Sequence, residues 1–249
     1  MTSPSKSALS DIAKGDHRHP RNIARNDARK PVETLEFFGR KPDMTVLEIL
    51  PAVGWYTEIL APYLAEEGRL YVAHFSPDGI LPYMPQVLEM FEARIASEPE
   101  TFGKVIVRHI NPPHEVSIAP KGSIDLAMTF RNVHNWIMAD AEDAYFETFF
   151  NALKPGGVLG VTEHRAKSGA SMESMRTTGY VTEDYVKEIA AKAGFEFEAS
   201  SEVGANPNDT KDHPEGVWSL APFLRSGKEE PYLSIGESDR MTLKFRKPD

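Results

Sequence analysis

The feature that most constrains this chain is an alternation of short apolar runs with segments of helical spacing, sustained from Met44 to His164. MTVLEIL, beginning at Met44, lies between Pro42-Asp43 and Pro51 and reads as a buried strand. In the following GWYTEILAPYLAEEG, Trp55, Ile59, Leu60, Tyr63 and Leu64 recur at helical spacing, Pro62 predicts a bend and Gly68 a stop. RLYVAHF is the second predicted strand, and Asp78 with Gly79 opens a helical stretch running to Ser97. KVIVRHI, IDLAMTF and GVLGVTEH supply three more strands. Between the last two lies ADAEDAYFETFFNALKPGG, a helix that Asp140 is expected to cap and Pro-Gly-Gly to end. Thr182 is placed to cap EDYVKEIAAKAG, with two acids in its first turn. FEFEAS and RMTLKFRKP alternate apolar and polar residues and predict a terminal antiparallel pair. Strands separated by helices imply a three-layer α/β architecture around a mostly parallel sheet, with ligands bound beyond the carboxyl ends of its strands.

Two regions depart from this pattern. Residues 1–19 are polar and carry no period, which predicts a flexible arm up to about Gly15 that also holds Asp16, His17 and His19. Arg18, Arg21, Arg25 and Arg29 then fall on one face if that stretch is helical, with Pro20 in the first turn. A solvated or internally paired face is the ordinary outcome for such a stripe, and an anion clamp is the functional one. The second region, residues 204–231, is rich in Asn, Asp, Pro and Gly and carries Asn206, Asp209, Asp212 and Trp218. A connection of that length reads as a lid or a disordered segment. The expected division is an N-terminal arm and basic helix over 1–40 and a main domain over 41–249.

Composition removes several function classes. Of 249 residues, 28 are Lys or Arg and 37 are Asp or Glu, a net charge of -9 that disfavours nucleic acid as partner. Zero cysteines exclude disulfides, thiolate metal sites and cysteine nucleophiles. No apolar run is long enough to span a bilayer. The first residues lack the apolar stretch of an export signal, so the expected compartment is the cytoplasm. The oligomeric state is not read from the sequence.

The residues at the predicted strand ends carry the chemistry. After the first strand the chain reads Glu48, Ile49, Leu50, Pro51, Ala52, Val53, Gly54, Trp55, Tyr56. This acidic residue followed by a turn into a helix resembles the first motif of class I S-adenosylmethionine-dependent methyltransferases. GRLYVAHFSPD resembles the second motif, SIDLAMTFRNVHNW the fourth-strand motif and LKPGGVLGVTEH the fifth. The phrases WYTEILAPYL, RNVHNW, EHRA, GVW and KFRKP resemble a bacterial subgroup described as predicted methyltransferases. The resemblance implies a Rossmann-like sheet ending in an antiparallel hairpin, with S-adenosylmethionine as cofactor and a small-molecule acceptor. It implies that Glu48, Leu50, Pro51, Ala52, Gly54, His74, Phe75, Asn111, Arg131 and Asn132 line the cofactor. Two departures stand out: Leu50 and Ala52 occupy glycine positions, and His74 replaces the acid that accepts the ribose hydroxyls.

In the same frame His134, Glu163, His164 and Tyr56 face the acceptor. Either histidine is a candidate base for an acceptor that carries a proton, and three consecutive polar residues at a buried strand end, Glu163 to Arg165, are costly without a role. Tyr56 is expected in the pocket and Trp55 against the sheet with Ile59. His134, Glu163 and His164 with His17 or His19 form a conceivable metal set, but no helical His-Glu-x-x-His spacing supports it and no metal is expected. The alternative to methyl transfer is a binding module, or a lyase or isomerase that uses His134, Glu163 and His164 directly.

Overall fold

A computed structural model describes residues 6–78, 83–228 and 230–249; residues 1–5 of the expected arm and Gly79 lie outside the described residues. One sheet organises the chain: β1 (Thr45–Ile49), β2 (Arg69–Phe75), β3 (Ile106–Ile110), β4 (Ile124–Phe130), β5 (Leu153–His164), β6 (Glu196–Ser201) and β7 (Arg240–Arg246). Its strand order is β3-β2-β1-β4-β5-β7-β6, with β7 antiparallel to both neighbours. The order reverses beside β1, where β2 pairs on one side and β4 on the other, so the switch point lies at the carboxyl ends of β1 and β4. The predicted three-layer α/β sheet with a C-terminal antiparallel hairpin is therefore the observed one.

Both sheet faces are covered, which is why the central strands read as continuous apolar runs. On one face Leu47, Ile49, Leu159, Val161 and Leu243 pack with Phe146 and Phe149 of the Glu142–Ala152 helix and with Ile189 of the Glu183–Lys192 helix. On the other, Val46, Val72, Leu126 and Met128 pack with Ile59 and Leu60 of the Thr57–Leu64 helix and with Leu35 and Phe38 of the Pro31–Phe38 helix. The Phe38 ring lies flat on β5 because Gly160 has no side chain; a Cβ there would sit 2.7 Å from the ring.

Several expectations are corrected. Pro-Gly-Gly does not precede β5 but lies inside it, because the end of β7 continues the ladder: the Gly156 amide donates to the Lys247 carbonyl at 2.9 Å, and the Lys247 amide to the Gly157 carbonyl at 2.9 Å. Asp140 does not cap the next helix; Ala141 occupies that position and Asp140 pairs with Arg176. The arm before Gly15 is not free over its described part, since Lys6–Ile12 is helical and Leu9 within it and Ala13 just after it are buried.

The arginine stripe does not lie on one helix. Two short helices, Pro20–Ile23 and Asn26–Arg29, replace it. Arg18 and Arg29 stack on Trp55 at 4.7 and 4.5 Å, and Arg18 also bonds Glu58 at 3.3 Å. Arg25 and Arg29 approach Glu237, while Arg21 is exposed. His17 is not in a mobile arm either, for its Nε2 meets the Glu58 carbonyl oxygen at 2.9 Å.

Candidate functional site

The loop after β1 carries three left-handed residues in alternation: Leu50 at φ 47°, Ala52 at φ 52° and Gly54 at φ 86°. These are the positions where glycine was expected, so the backbone keeps a glycine conformation at two non-glycine residues. Such conformations persist only where the surroundings over-determine them. Here Asn132 donates from Nδ2 to the carbonyls of Ile49 at 3.1 Å and Leu50 at 3.4 Å. His74 ties the other side, its Nε2–H donating to the Ala52 carbonyl at 2.8 Å while Nδ1 accepts the Phe75 amide at 2.8 Å. The Leu50 side chain is turned into the core, whereas Ala52 and Val53 remain exposed, so the loop's outer side is open.

Glu48 sits beneath this loop, fully buried, with the Thr57 hydroxyl donating to Oε2 at 2.6 Å. Burial pushes its carboxyl up to about 8 despite that bond. A cationic neighbour would favour its ionised form. His74, of which a ribose contact was expected, lies near the end of β2 with both its nitrogens spent on backbone, and burial lowers it to about 4, so it serves as a loop clamp. Pro51 and Phe75 are half-buried beside the loop, and Asn111 begins the turn after β3, where its amide donates to the Glu115 carbonyl at 2.8 Å.

The second group gathers where β4 and β5 end. Glu163 is wholly buried, and its carboxylate accepts the His134 Nδ1–H at 3.0 Å, the His134 amide at 3.2 Å and the His164 amide at 2.7 Å. With Nδ1 as the donor, the lone pair of His134 lies on Nε2. His164 stands 5.1 Å from His134 ring to ring, and its Nδ1 lies 2.5 Å from the Ser238 hydroxyl. Burial, with His134 and Arg131 adding to it, holds His164 well below its ordinary range, so it stays neutral.

His134, Glu163 and His164 also offer ligand atoms within 4.8 Å of one another, a set able to hold a metal ion. The spacing argument could not find it because the ligands come from two elements. Of the other candidates, the His17 ring is held against the Glu58 carbonyl, and the exposed His19 ring accepts the Arg21 amide at 3.2 Å. Three hydrogen bonds already saturate much of the Glu163 carboxylate, which favours its use as a positioning group over a ligand.

The late connection is built over this end of the sheet. Asp209 is its hub, accepting the Tyr180 hydroxyl at 2.9 Å and the Asp239 amide at 2.8 Å, with His213 Nε2 at 2.8 Å. Asn206 donates to the Ile235 and Glu237 carbonyls, while Asp212 is exposed. The connection brings Trp218 to 6.1 Å from the His134 ring. Over its described residues it is thus a packed cover and not a disordered segment.

Tyr56 lines a small pocket beside these groups. Its ring stacks on Phe130 at 3.6 Å, and burial raises its hydroxyl to about 12. Arg29, Thr34, Arg131, Thr162, Gly204, Arg240 and Thr242 complete the lining. Arg131, itself left-handed at φ 60°, was expected at the cofactor and is found in this pocket. Arg240, Thr242, Thr162 and Ser238 were not singled out from the sequence. The signal that finds them is the antiparallel β7, whose start lies beside the carboxyl end of β5.

No family model matches the chain, and no curated protein matches it in sequence. Solved structures do match the fold. An S-adenosylmethionine-dependent methyltransferase from Aquifex aeolicus is 18% identical, with a TM-score of 0.56 over 80% of this chain and 93% of that one. The (4+2)-cyclase SpnF is 16% identical, with a TM-score of 0.61 over 97% and 92%. A geranyl diphosphate methyltransferase in complex with S-adenosylmethionine is 10% identical, with a TM-score of 0.58 over 98% and 91%. At these identities the likeness is one of fold.

Proposed function

We propose that this protein is a cytoplasmic S-adenosylmethionine-dependent methyltransferase acting on a small molecule. The observation that carries the reading is the pairing of Glu163 with His134 at the same carboxyl end of the sheet as the left-handed loop Leu50 to Gly54. S-adenosylmethionine would supply an electrophilic methyl group. Glu48 would meet its positive charge, and the exposed side of the loop at Ala52 and Val53, with Pro51, Phe75 and Asn111 nearby, would receive it. Asn132 and His74 hold that loop from behind.

On the acceptor side, His134 would remove a proton through Nε2. Glu163 fixes its ring orientation and tautomer and stabilises the imidazolium that results. Trp218 covers the ring and limits water, while neutral His164 orients the acceptor.

The test is calorimetric titration with S-adenosylmethionine and S-adenosylhomocysteine. Ala52→Trp, which fills the open side of the loop, is a better blocked-site control than a Gly54 variant, because a Cβ at Gly54 would press on Phe91 at 3.1 Å. Micromolar binding, roughly -8 kcal/mol, that is lost in the control supports the reading.

A second reading has a specific observation behind it: Leu50 and Ala52 stand where the motif has glycine, and SpnF is a cyclase on this fold. In that case His134, Glu163 and His164 would act directly on the substrate. Absence of binding at millimolar ligand would favour it.

A further inference from the structure

His134 and His164 are held by different partners and carry their ring protons on different nitrogens. Glu163 accepts the Nδ1–H of His134 at 3.0 Å, which leaves a lone pair on Nε2. His164 is fixed instead through the Ser238 hydroxyl, 2.5 Å from its Nδ1. Ser238 is 3% exposed, and its hydroxyl has no other hydrogen-bond partner among the described residues. Were His164 Nδ1–H the donor, the Ser238 proton would be buried without an acceptor, which folded proteins avoid. With the hydroxyl as donor to Nδ1, no group of the pair is left unmet. Burial, then His134 and the charges of Arg131, Arg240 and Arg29, keep His164 neutral, so its single ring proton sits on Nε2.

Nε2 of each ring has no hydrogen-bond partner among the described residues, and neither atom is enclosed as Trp136 Nε1 is. The rings stand 5.1 Å apart, within the span of two hydrogen bonds of about 2.8 Å that meet on one atom. One Nε2 accepts and the other donates, and that asymmetry selects among acceptor atoms. A hydroxyl oxygen fits both: its O–H donates to His134, one lone pair accepts from His164, and the second lone pair stays free to attack. A neutral amine has one lone pair, which His164 would occupy. A carboxylate brings no proton for His134 to take. The guanidinium charges that act on His164 also favour negative charge growing on the acceptor and oppose an ammonium product. Trp218, 6.1 Å from the His134 ring, adds a flat apolar wall suited to an aromatic ring.

We infer that His134 Nε2 and His164 Nε2–H together bind a phenolic hydroxyl, and that Ser238 is a positioning residue that sets the His164 tautomer. That this hydroxyl is methylated rests on the methyl-transfer reading; the donor–acceptor pair itself does not. In the step, the O–H proton passes to His134 Nε2 and the oxygen forms a bond to the methyl carbon. The bond from that carbon to sulfur breaks, with its electron pair going to sulfur. The products are an aryl methyl ether, S-adenosylhomocysteine and a proton, carried first by His134 against Glu163. A phenol holds its proton far more loosely than an aliphatic alcohol does, which suits an imidazole base.

The experiment is long-range proton–nitrogen NMR of the isotope-labelled full chain without cofactor, with the two rings assigned from His134→Gln and His164→Gln samples. His134 is expected as the Nδ1–H tautomer and His164 as the Nε2–H tautomer. Ser238→Ala should turn the single His164 pattern into a mixture while His134 stays as it was. His164 found as Nδ1–H in the parent overturns the site, and an unaltered His164 pattern in Ser238→Ala overturns the role of Ser238. The same spectra then follow titration with phenol and with aniline, which has the same shape and an amine in place of the hydroxyl. Phenol should shift both histidines and bind about tenfold more tightly than aniline, a preference reduced in Ser238→Ala. Aniline binding as tightly, or no binding of phenol, overturns the hydroxyl assignment. S-adenosylhomocysteine titrated into the same samples separates the two claims. Cofactor binding without a preference for phenol defeats this inference alone, and the expected tautomers and preference without cofactor binding defeat the methyl-transfer reading alone.

Discussion

His74 and Ala52 are joined by a 2.8 Å hydrogen bond from a buried imidazole to a backbone carbonyl, and that bond holds a left-handed alanine in place. The ring nitrogen on the other side accepts the Phe75 amide, so protonation of His74 would break one of the two ties. Burial lowers its folded value to about 4, against about 6.5 in the unfolded chain. The unfolded state therefore binds the extra proton first. The stability His74 contributes is complete above about pH 6.5 and is lost as pH falls toward 4. His164 shifts in the same direction and adds to the effect. His74→Phe should flatten part of the slope measured by urea unfolding between pH 7.5 and 4.5, and cost about 1–3 kcal/mol at pH 7.5. An unchanged slope would count against this account.

The two non-glycine residues of the loop should respond oppositely to glycine. Ala52 is exposed at φ 52°, so Ala52→Gly removes left-handed strain of about 1 kcal/mol, partly offset by the greater freedom of the unfolded chain. A Tm rise of up to about 2–4 °C is expected. Leu50 has the same kind of backbone but is only 6% exposed, and losing its side chain costs about 2–5 kcal/mol. Leu50→Gly should therefore lower Tm. The same sign for both variants would show that packing, or strain, alone governs the loop.

At the proposed base, Glu163→Gln and His134→Ala should each reduce turnover about 10²–10⁴-fold, with a smaller effect on cofactor affinity. The Gln variant keeps the shape but not the charge that supports an imidazolium. A pH–rate profile separates the roles, because loss of the base removes the acidic limb whereas loss of folding lowers the whole curve. Dialysis against a chelator should leave turnover unchanged. Activity lost on chelation and restored by a divalent ion would make His134, Glu163 and His164 a metal centre.

Glu48 predicts the opposite pH behaviour to His74. Its folded value of about 8 lies above the unfolded carboxyl value of about 4.3. Its contribution is fully present below pH 4.3 and is lost as pH rises through 8, when a buried carboxylate must ionise. Glu48→Gln should be most stabilising relative to the parent near pH 9 and least so near pH 5, measured by thermal unfolding. Saturating S-adenosylmethionine should shrink that difference if its positive charge meets Glu48.

Local pattern was enough to locate most of the sheet. RLYVAHF and IDLAMTF are β2 and β4 to the residue, and Thr182 caps its helix by accepting the Tyr185 amide at 3.2 Å. Apolar periodicity and capping act within a few residues, so they survive in a one-dimensional reading. The convergence of His134 with Glu163 followed once the strands were assigned, because topology brings strand ends together. The sequence could not say that Arg18 and Arg29 would stack on Trp55 while Arg21 faces solvent, since that depends on two short helices bending around one indole. Nor could it place Arg240 in the same pocket as Arg29, separated by most of the chain. The sequence by itself determined the elements, their order and the residue types at the strand ends. Tertiary structure decided which of those side chains are spent on backbone, as at His74 and Asn132, and which buried atoms have no hydrogen-bond partner among the described residues, as at Arg240 Nε and Thr242 Oγ1. The physical reason is that hydrogen-bond satisfaction is a property of the enclosed volume around a group, and that volume is assembled from distant segments only when the chain folds.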